Sequence, residues 1–198
     1  MNLPNKLTVM RIALTFVMTV FLTVTVPFGK TLALAVFVAA SVTDYWDGRL
    51  ARRHNRITAF GQFMDPLADK ILVSAAFVSF VAIGRIVPAW VVIIIISREF
   101  LVTGLRLLAS NEGKLLPAGP LGKHKTIWQI VGIIVIMVGL AVQEDVLPRV
   151  AAAAVWRDAF ARYFHVAAYA VSMLIAVLTV LSGVAYLWQN RALIRGDI

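Results

Sequence analysis

The chain has 198 residues, 61% of them hydrophobic, with a mean hydropathy of +0.86, a formal net charge of +9 and no cysteine. A soluble domain of this length has too little interior to hide that much apolar surface, so a water-soluble globular fold is excluded. The lack of cysteine excludes a thiol mechanism.

Six apolar runs follow one another: Leu7–Val26, Thr31–Thr43, Ile71–Ile83, Ile86–Ile96, Ile127–Val142 and Val166–Trp188. Several reach the roughly 20 residues a helix needs to cross a hydrocarbon core of about 30 Å, and the others reach it with their flanking polar residues. The pattern predicts an all-α integral membrane protein with six transmembrane helices, forming one membrane-embedded domain over residues 1–198. Only Met1–Lys6 precede the first run and no A-x-A-like site follows it, so helix 1 is expected to remain as its own insertion signal.

The connections are short. Val26–Lys30 and Gly84–Pro88 read as external turns, and Ser110–Thr126 as a cytoplasmic connection. Gln143–His165 reads as an external segment, its Ala-rich centre flanked by Arg149, Arg157, Asp158 and Arg162, predicted to lie as an amphipathic helix in the outer interface. No internal repeat supports a transporter built from inverted halves. With a cytoplasmic N-terminus, every Lys and Arg except Lys30, Arg85, Arg149, Arg157 and Arg162 falls on the cytoplasmic side. This asymmetry places both termini in the cytoplasm, and it assigns the positive charge to topology and anionic lipid headgroups rather than to nucleic acid.

Four aspartates interrupt this apolar background. Asp44 and Asp47 are three residues apart, Asp65 and Asp69 four, so each pair shares a face of its helix. With helix 2 starting near Thr31, Asp44 lies about 20 Å along it, roughly 10 Å short of the cytoplasmic boundary. A carboxylate at that depth needs a partner. Gly48 and Ala51 continue the stripe of Asp44 and Asp47, leaving a gap beside the backbone. If helices 2 and 3 form a hairpin, the four carboxylates converge, and their mutual repulsion calls for cations among them. Carboxylate oxygens and water suit Mg²⁺ or Mn²⁺, and two such ions can clamp a pyrophosphate. Structural readings compete residue by residue. Asp65 before Pro66 also reads as an N-cap followed by proline at the first helical position, and Asp44 or Asp47 can pair with Arg49 or Arg52.

The residues Asp44-x-x-Asp47-Gly48-x-x-Ala51-Arg52, then eight residues, then Gly61-x-x-x-Asp65-x-x-x-Asp69, match at every fixed position the signature of the CDP-alcohol phosphotransferases, which the chain resembles. The resemblance implies a six-helix, usually homodimeric membrane enzyme whose site opens to the cytoplasmic side. Such enzymes move a phosphatidyl-type group from a CDP-linked lipid to an alcohol and release CMP. It also implies that Asp44, Asp47 and Asp65 hold the metals with Asp69 completing the site, and that Asp69 is the general base. Gly48 and Ala51 would make room for the cytidine and Arg52 would contact the diphosphate.

The signature does not name the acceptor. Arg98, Glu99 and Arg106 lie in or beside helix 4, and Lys123 and Lys125 open helix 5. An uncharged alcohol does not need so many cations, whereas a phosphorylated one does, so Arg98, Arg106, Lys123 and Lys125 are the candidate phosphate ligands. A Glu99–Arg106 contact within the bundle is the structural alternative. Asn5, Thr8 and Arg11 lie roughly along one face of helix 1 toward the nucleotide, although Asn5 serves equally well as an N-cap. His54 and His124 read as solvated side chains of basic loops. The stretches "NLPNKLTVMR", "ASVTDYWDGRLAR", "FMDPLADK", "SREFLVTGLRLLA" and "LGKHKT" resemble the bacterial branch of the family that joins CDP-diacylglycerol to sn-glycerol 3-phosphate.

Other readings stay open. A phosphorylated inositol fits the same cations, and serine fits them less well. Intramembrane prenyltransferases also pair Asp-rich motifs with Mg²⁺, usually with more helices and without the Gly-x-x-Ala-Arg element. An ion transporter would need repeats or broken helices that this sequence does not signal.

Overall fold

The computed structural model describes residues 3–54, 59–84, 86–111, 120–150 and 155–191. Among them are six α-helices and no strand: α1 (Leu3–Thr23), α2 (Gly29–His54), α3 (Ala59–Ala82), α4 (Ala89–Asn111), α5 (Pro120–Leu140) and α6 (Arg157–Gln189). Each apolar run lies within or largely within one helix, but the helices extend beyond the runs. α2 carries the polar segment 44–54 as an uninterrupted continuation of its apolar half. α6 begins nine residues before the run at Val166, so Arg157, Asp158 and Arg162 belong to its first turns.

This corrects the reading of residues 143–165 as a separate interfacial helix at its two ends; its Ala-rich centre, 151–154, lies outside the described residues. α5 runs on through a π-helical turn, Ala141–Val146, and a 3₁₀ turn, Leu147–Arg149, before α6 starts at Arg157. A second correction concerns Asp65. α3 starts at Ala59, so Asp65 and Pro66 lie inside the helix and Asp65 does not cap it. The proline removes one main-chain donor there, leaving a carbonyl of the preceding turn without its i+4 partner.

α1 packs against both α2 and α3, α4 against α3 and α6, and α5 against α2, α3 and α6. The core between them is apolar, built from Met18, Leu22, Phe37, Phe77, Phe80, Ile95, Ile136 and Ile175 among others. Two glycines bring α5 and α6 together: a Cβ on Gly132 would lie 2.5 Å from the Ile175 Cδ1, and one on Gly139 would lie 2.0 Å from a ring carbon of Phe164. A larger side chain at Gly139 would run into the Phe164 ring, and one at Gly132 would force the Ile175 side chain to move.

The burial pattern is inverted relative to a water-soluble protein. Arg11, Glu99, Lys125 and Gln129 are buried, while Phe16, Ile93, Val166, Leu181 and Trp188 are exposed. An apolar exterior around buried charges suits a solvent of lipid. Two helical segments, 124–149 and 157–189, are by themselves long and apolar enough to cross a bilayer, and shorter apolar helical stretches occupy 8–23, 29–43 and 70–82.

Candidate active site

The two aspartate pairs sit at comparable places on their helices. Asp44 and Asp47 lie in the second half of α2, one turn apart, with Gly48, Ala51 and Arg52 in the turns that follow. Asp65 and Asp69 lie one turn apart in the first half of α3. The side chains of these seven residues, and those of Asn5 and Lys123, lie outside the described residues; the backbone fixes only their places along the helices. α1 packs along both α2 and α3, the two helices that carry the halves of the motif. Its inward stripe carries Thr8, Arg11 and Thr15, all buried, with the Thr15 hydroxyl donating to the Arg11 carbonyl at 2.9 Å.

Directly beside Asp69, the Lys70 ammonium reaches α4 and pairs with the Glu99 carboxylate. Glu99 is buried, and it also pairs with Lys125 from α5 and, at 3.7 Å, with Arg98. One carboxylate therefore gathers cations from three helices, and the set is left with net positive charge. Lys125 is only 1% exposed, and Glu99 is the carboxylate it meets. The Glu99–Arg106 contact, the structural alternative, is not formed; these pairings take its place. Arg106 turns to α6 and stacks over the Tyr186 ring, 5.4 Å from its centroid. Arg98 also faces α6, and its Cγ would lie 3.1 Å from a Cβ on Gly183, so the glycine makes room for the arginine stem. The Nε atoms of Arg98 and Arg106 and the Tyr186 hydroxyl are buried without hydrogen-bond partners. Buried donors of this kind are the equipment of an anion site. His124 belongs to α5 rather than a loop, and its side chain is exposed as expected.

A cavity of about 120 Å³ opens next to this cluster, lined by residues of α1 to α5 that include Arg11, Lys70, Glu99 and Gln129. Of the predicted phosphate ligands, Arg98 and Lys125 come together around Glu99, and Arg106 joins Arg98 on the side facing α6. Sequence reasoning missed Lys70, Tyr186 and Gln129. The one local signal for Lys70 is its position next to Asp69; nothing in the local pattern marks the other two.

A family profile described as CDP-alcohol phosphatidyltransferase matches residues 1–187. The chain belongs to the CDP-alcohol phosphatidyltransferase family. It is 44% identical over 144 residues to a CDP-diacylglycerol–glycerol-3-phosphate 3-phosphatidyltransferase of Bacillus subtilis, a match covering 67% of this chain and 74% of that protein. It is 36% identical over 140 residues to a protein of the same name from Rickettsia bellii, covering 70% and 76% respectively. A probable phosphatidylglycerophosphate synthase of Mycobacterium tuberculosis is 36% identical over 191 residues, 93% of this chain and 79% of that protein. CDP-alcohol phosphatidyltransferases generally use divalent metal ions. The donor set here fits such ions: two carboxylate pairs, each one turn apart on an unbroken helix, offer the hard oxygens they prefer.

Proposed function

We propose that this protein transfers the phosphatidyl group of CDP-diacylglycerol to sn-glycerol 3-phosphate, giving phosphatidylglycerol phosphate and CMP. The observation that carries the acceptor is the cation set of Lys70, Arg98 and Lys125 gathered by Glu99 immediately beside the helix of Asp65 and Asp69. The names of the relatives from Bacillus subtilis and Rickettsia bellii support the same substrates.

Asp44, Asp47, Asp65 and Asp69 hold Mg²⁺ or Mn²⁺, two ions in all. When bound, these ions neutralise charge on the diphosphate and on the departing CMP. Gly48 and Ala51 leave space for the cytidine, Arg52 contacts the diphosphate, and Asn5 and Thr8 approach the nucleotide from α1. Arg98, Arg106, Lys123 and Lys125 bind the acceptor phosphate. Asp69 takes the proton from the acceptor 1-hydroxyl as its oxygen forms a bond to the β-phosphorus. The bond from that phosphorus to the bridging oxygen breaks, and CMP leaves with the bonding electrons. All six helices span a bacterial inner membrane as one domain, with both termini and the site on the cytoplasmic side. The working unit is a homodimer.

The test is CMP release by purified protein supplied with CDP-diacylglycerol and Mg²⁺, with and without glycerol 3-phosphate. Release is expected only with the acceptor, and Asp69→Asn is expected to lower kcat by about 10²- to 10⁴-fold, the usual weight of a general base. Release driven instead by inositol phosphate or serine would replace the acceptor, and no release with any acceptor from folded protein would end the reading.

A further inference from the structure

The cavity beside the cation set contains a group that the proposed chemistry does not use. Gln129, on α5, lines it and is 2% exposed, yet its amide Nε2 has no hydrogen-bond partner. A buried amide donor left unpaired is destabilising, and a ligand oxygen arriving in the cavity would relieve it.

The rest of the lining says what kind of oxygen it is. Ser41 and Thr126 donate their hydroxyl protons to carbonyls of their own helices, at 2.9 Å to Phe37 and 3.1 Å to Gly122, which leaves their oxygens free as acceptors. Beside the charged Arg11 and Glu99, the wall therefore offers a neutral N–H donor together with hydroxyl acceptors, the complement of an alcohol, which both accepts and donates. Lys70 lines the same cavity while pairing with Glu99, so it joins the cavity to the cation set. The helix register joins it to the aspartates: Ser41 lies one turn before Asp44 on α2, and Val73 one turn after Asp69 on α3. A volume of about 120 Å³ accommodates several waters or a short polyol chain.

We propose that this cavity holds the carbon chain of the acceptor and that Gln129 is a specificity-determining residue, donating from Nε2 to the acceptor's secondary hydroxyl. The inference rests on the acceptor reading above. It divides the acceptor into a phosphate end, read by the cation set, and a polyol end, read by Gln129.

The test compares kcat/KM for CMP release with two acceptors, glycerol 3-phosphate and propane-1,3-diol monophosphate, which lacks the secondary hydroxyl. The wild-type protein is expected to prefer glycerol 3-phosphate by roughly ten- to a hundredfold, the worth of one buried neutral hydrogen bond. In Gln129→Leu that ratio falls toward one. Gln129→Met keeps the length but removes the amide and is expected to lose the preference as well; it carries the test if the leucine variant does not fold. Variants that lower both acceptors equally, keeping the wild-type ratio, would overturn the assignment and leave Gln129 a packing residue. A wild-type protein that releases CMP with neither acceptor would instead bring down the acceptor reading, and this inference with it, so the two failures are told apart.

Discussion

Glu99 concentrates the electrostatics of the site into one side chain. It is buried and touches Lys70, Arg98 and Lys125, and Lys125 is almost wholly enclosed. Removing one member of a buried pair leaves an uncompensated charge, at a cost of about 3–5 kcal/mol, whereas removing both often costs little. Glu99→Leu is therefore expected to lower the melting temperature in detergent far more than the double variant Glu99→Leu, Lys125→Met. A double variant no more stable than the single one would mean that Lys125 does not depend on Glu99. The sequence marks Glu99, Arg98 and Lys125 as charges stranded in apolar surroundings, and that much is local information. Which of them meet is not local: Lys70 and Lys125 lie far apart in the chain, and the choice of Glu99's partners is made by the packing of α3, α4 and α5. Tyr186 and Gln129 leave no trace in the pattern at all, because an aromatic residue or an amide within a helix becomes informative only when its polar atom is found buried and unpaired.

Among the helices, α2 is held at the end remote from its aspartates by the π-helical turn that extends α5. Asp145 Oδ2 accepts hydrogen bonds from the Thr31 main-chain N–H at 2.7 Å and from the Thr31 hydroxyl at 2.8 Å, so a residue more than a hundred positions away satisfies a donor in the first turn of α2. The neighbouring Glu144 pairs at 3.3 Å with Lys30, whose buried ammonium also donates to the Leu22 carbonyl. Arg149 closes the group by donating to the Asp145 carbonyl and lying 3.9 Å over the Phe28 ring, in a turn where Phe28 adopts a φ of 59°. Asp145→Ala is expected to destabilise the protein by about 0.5–2 kcal/mol, the range for losing a capping side chain, and Asp145→Asn, which keeps an acceptor oxygen, by less. Thermal unfolding followed by circular dichroism checks both, and equal losses would argue that the carboxylate charge rather than the cap matters. Hydropathy located this helix pair but misjudged its ends. Apolar runs mark where lipid contact begins and stops, whereas α2 and α6 continue through polar residues that hydropathy assigns to loops. The π turn, which brings Glu144 and Asp145 to the start of α2, has no hydropathy signal.

For the molecule as a whole, the two polar clusters set a scale. Lys125 ties α5 to α3 and α4 at the level of Asp69, and Asp145 ties the far end of α5's extension to the start of α2. The twenty residues from Lys125 to Asp145 correspond to roughly 30 Å of helix, the thickness of a hydrocarbon core. Between those levels the outer faces carry side chains such as Phe16, Ile93, Val135 and Leu181. The clusters are thus spaced like the two boundaries of a bilayer, and the proposed topology, which rests on the basic excess beside the aspartate motif, puts that end in the cytoplasm. Because the natural sequence has no cysteine, single introduced cysteines report this orientation without background. His124, exposed on the first turns of α5, stands at the aspartate end, and Val155, 84% exposed just before α6, at the other. A membrane-impermeant maleimide is expected to label Val155→Cys in intact spheroplasts and His124→Cys only after permeabilisation. The reverse pattern would turn the site to the outside, where neither a soluble alcohol phosphate nor a CDP-linked lipid made in the cytoplasm would reach it, and the proposed reaction would have to be abandoned along with the topology.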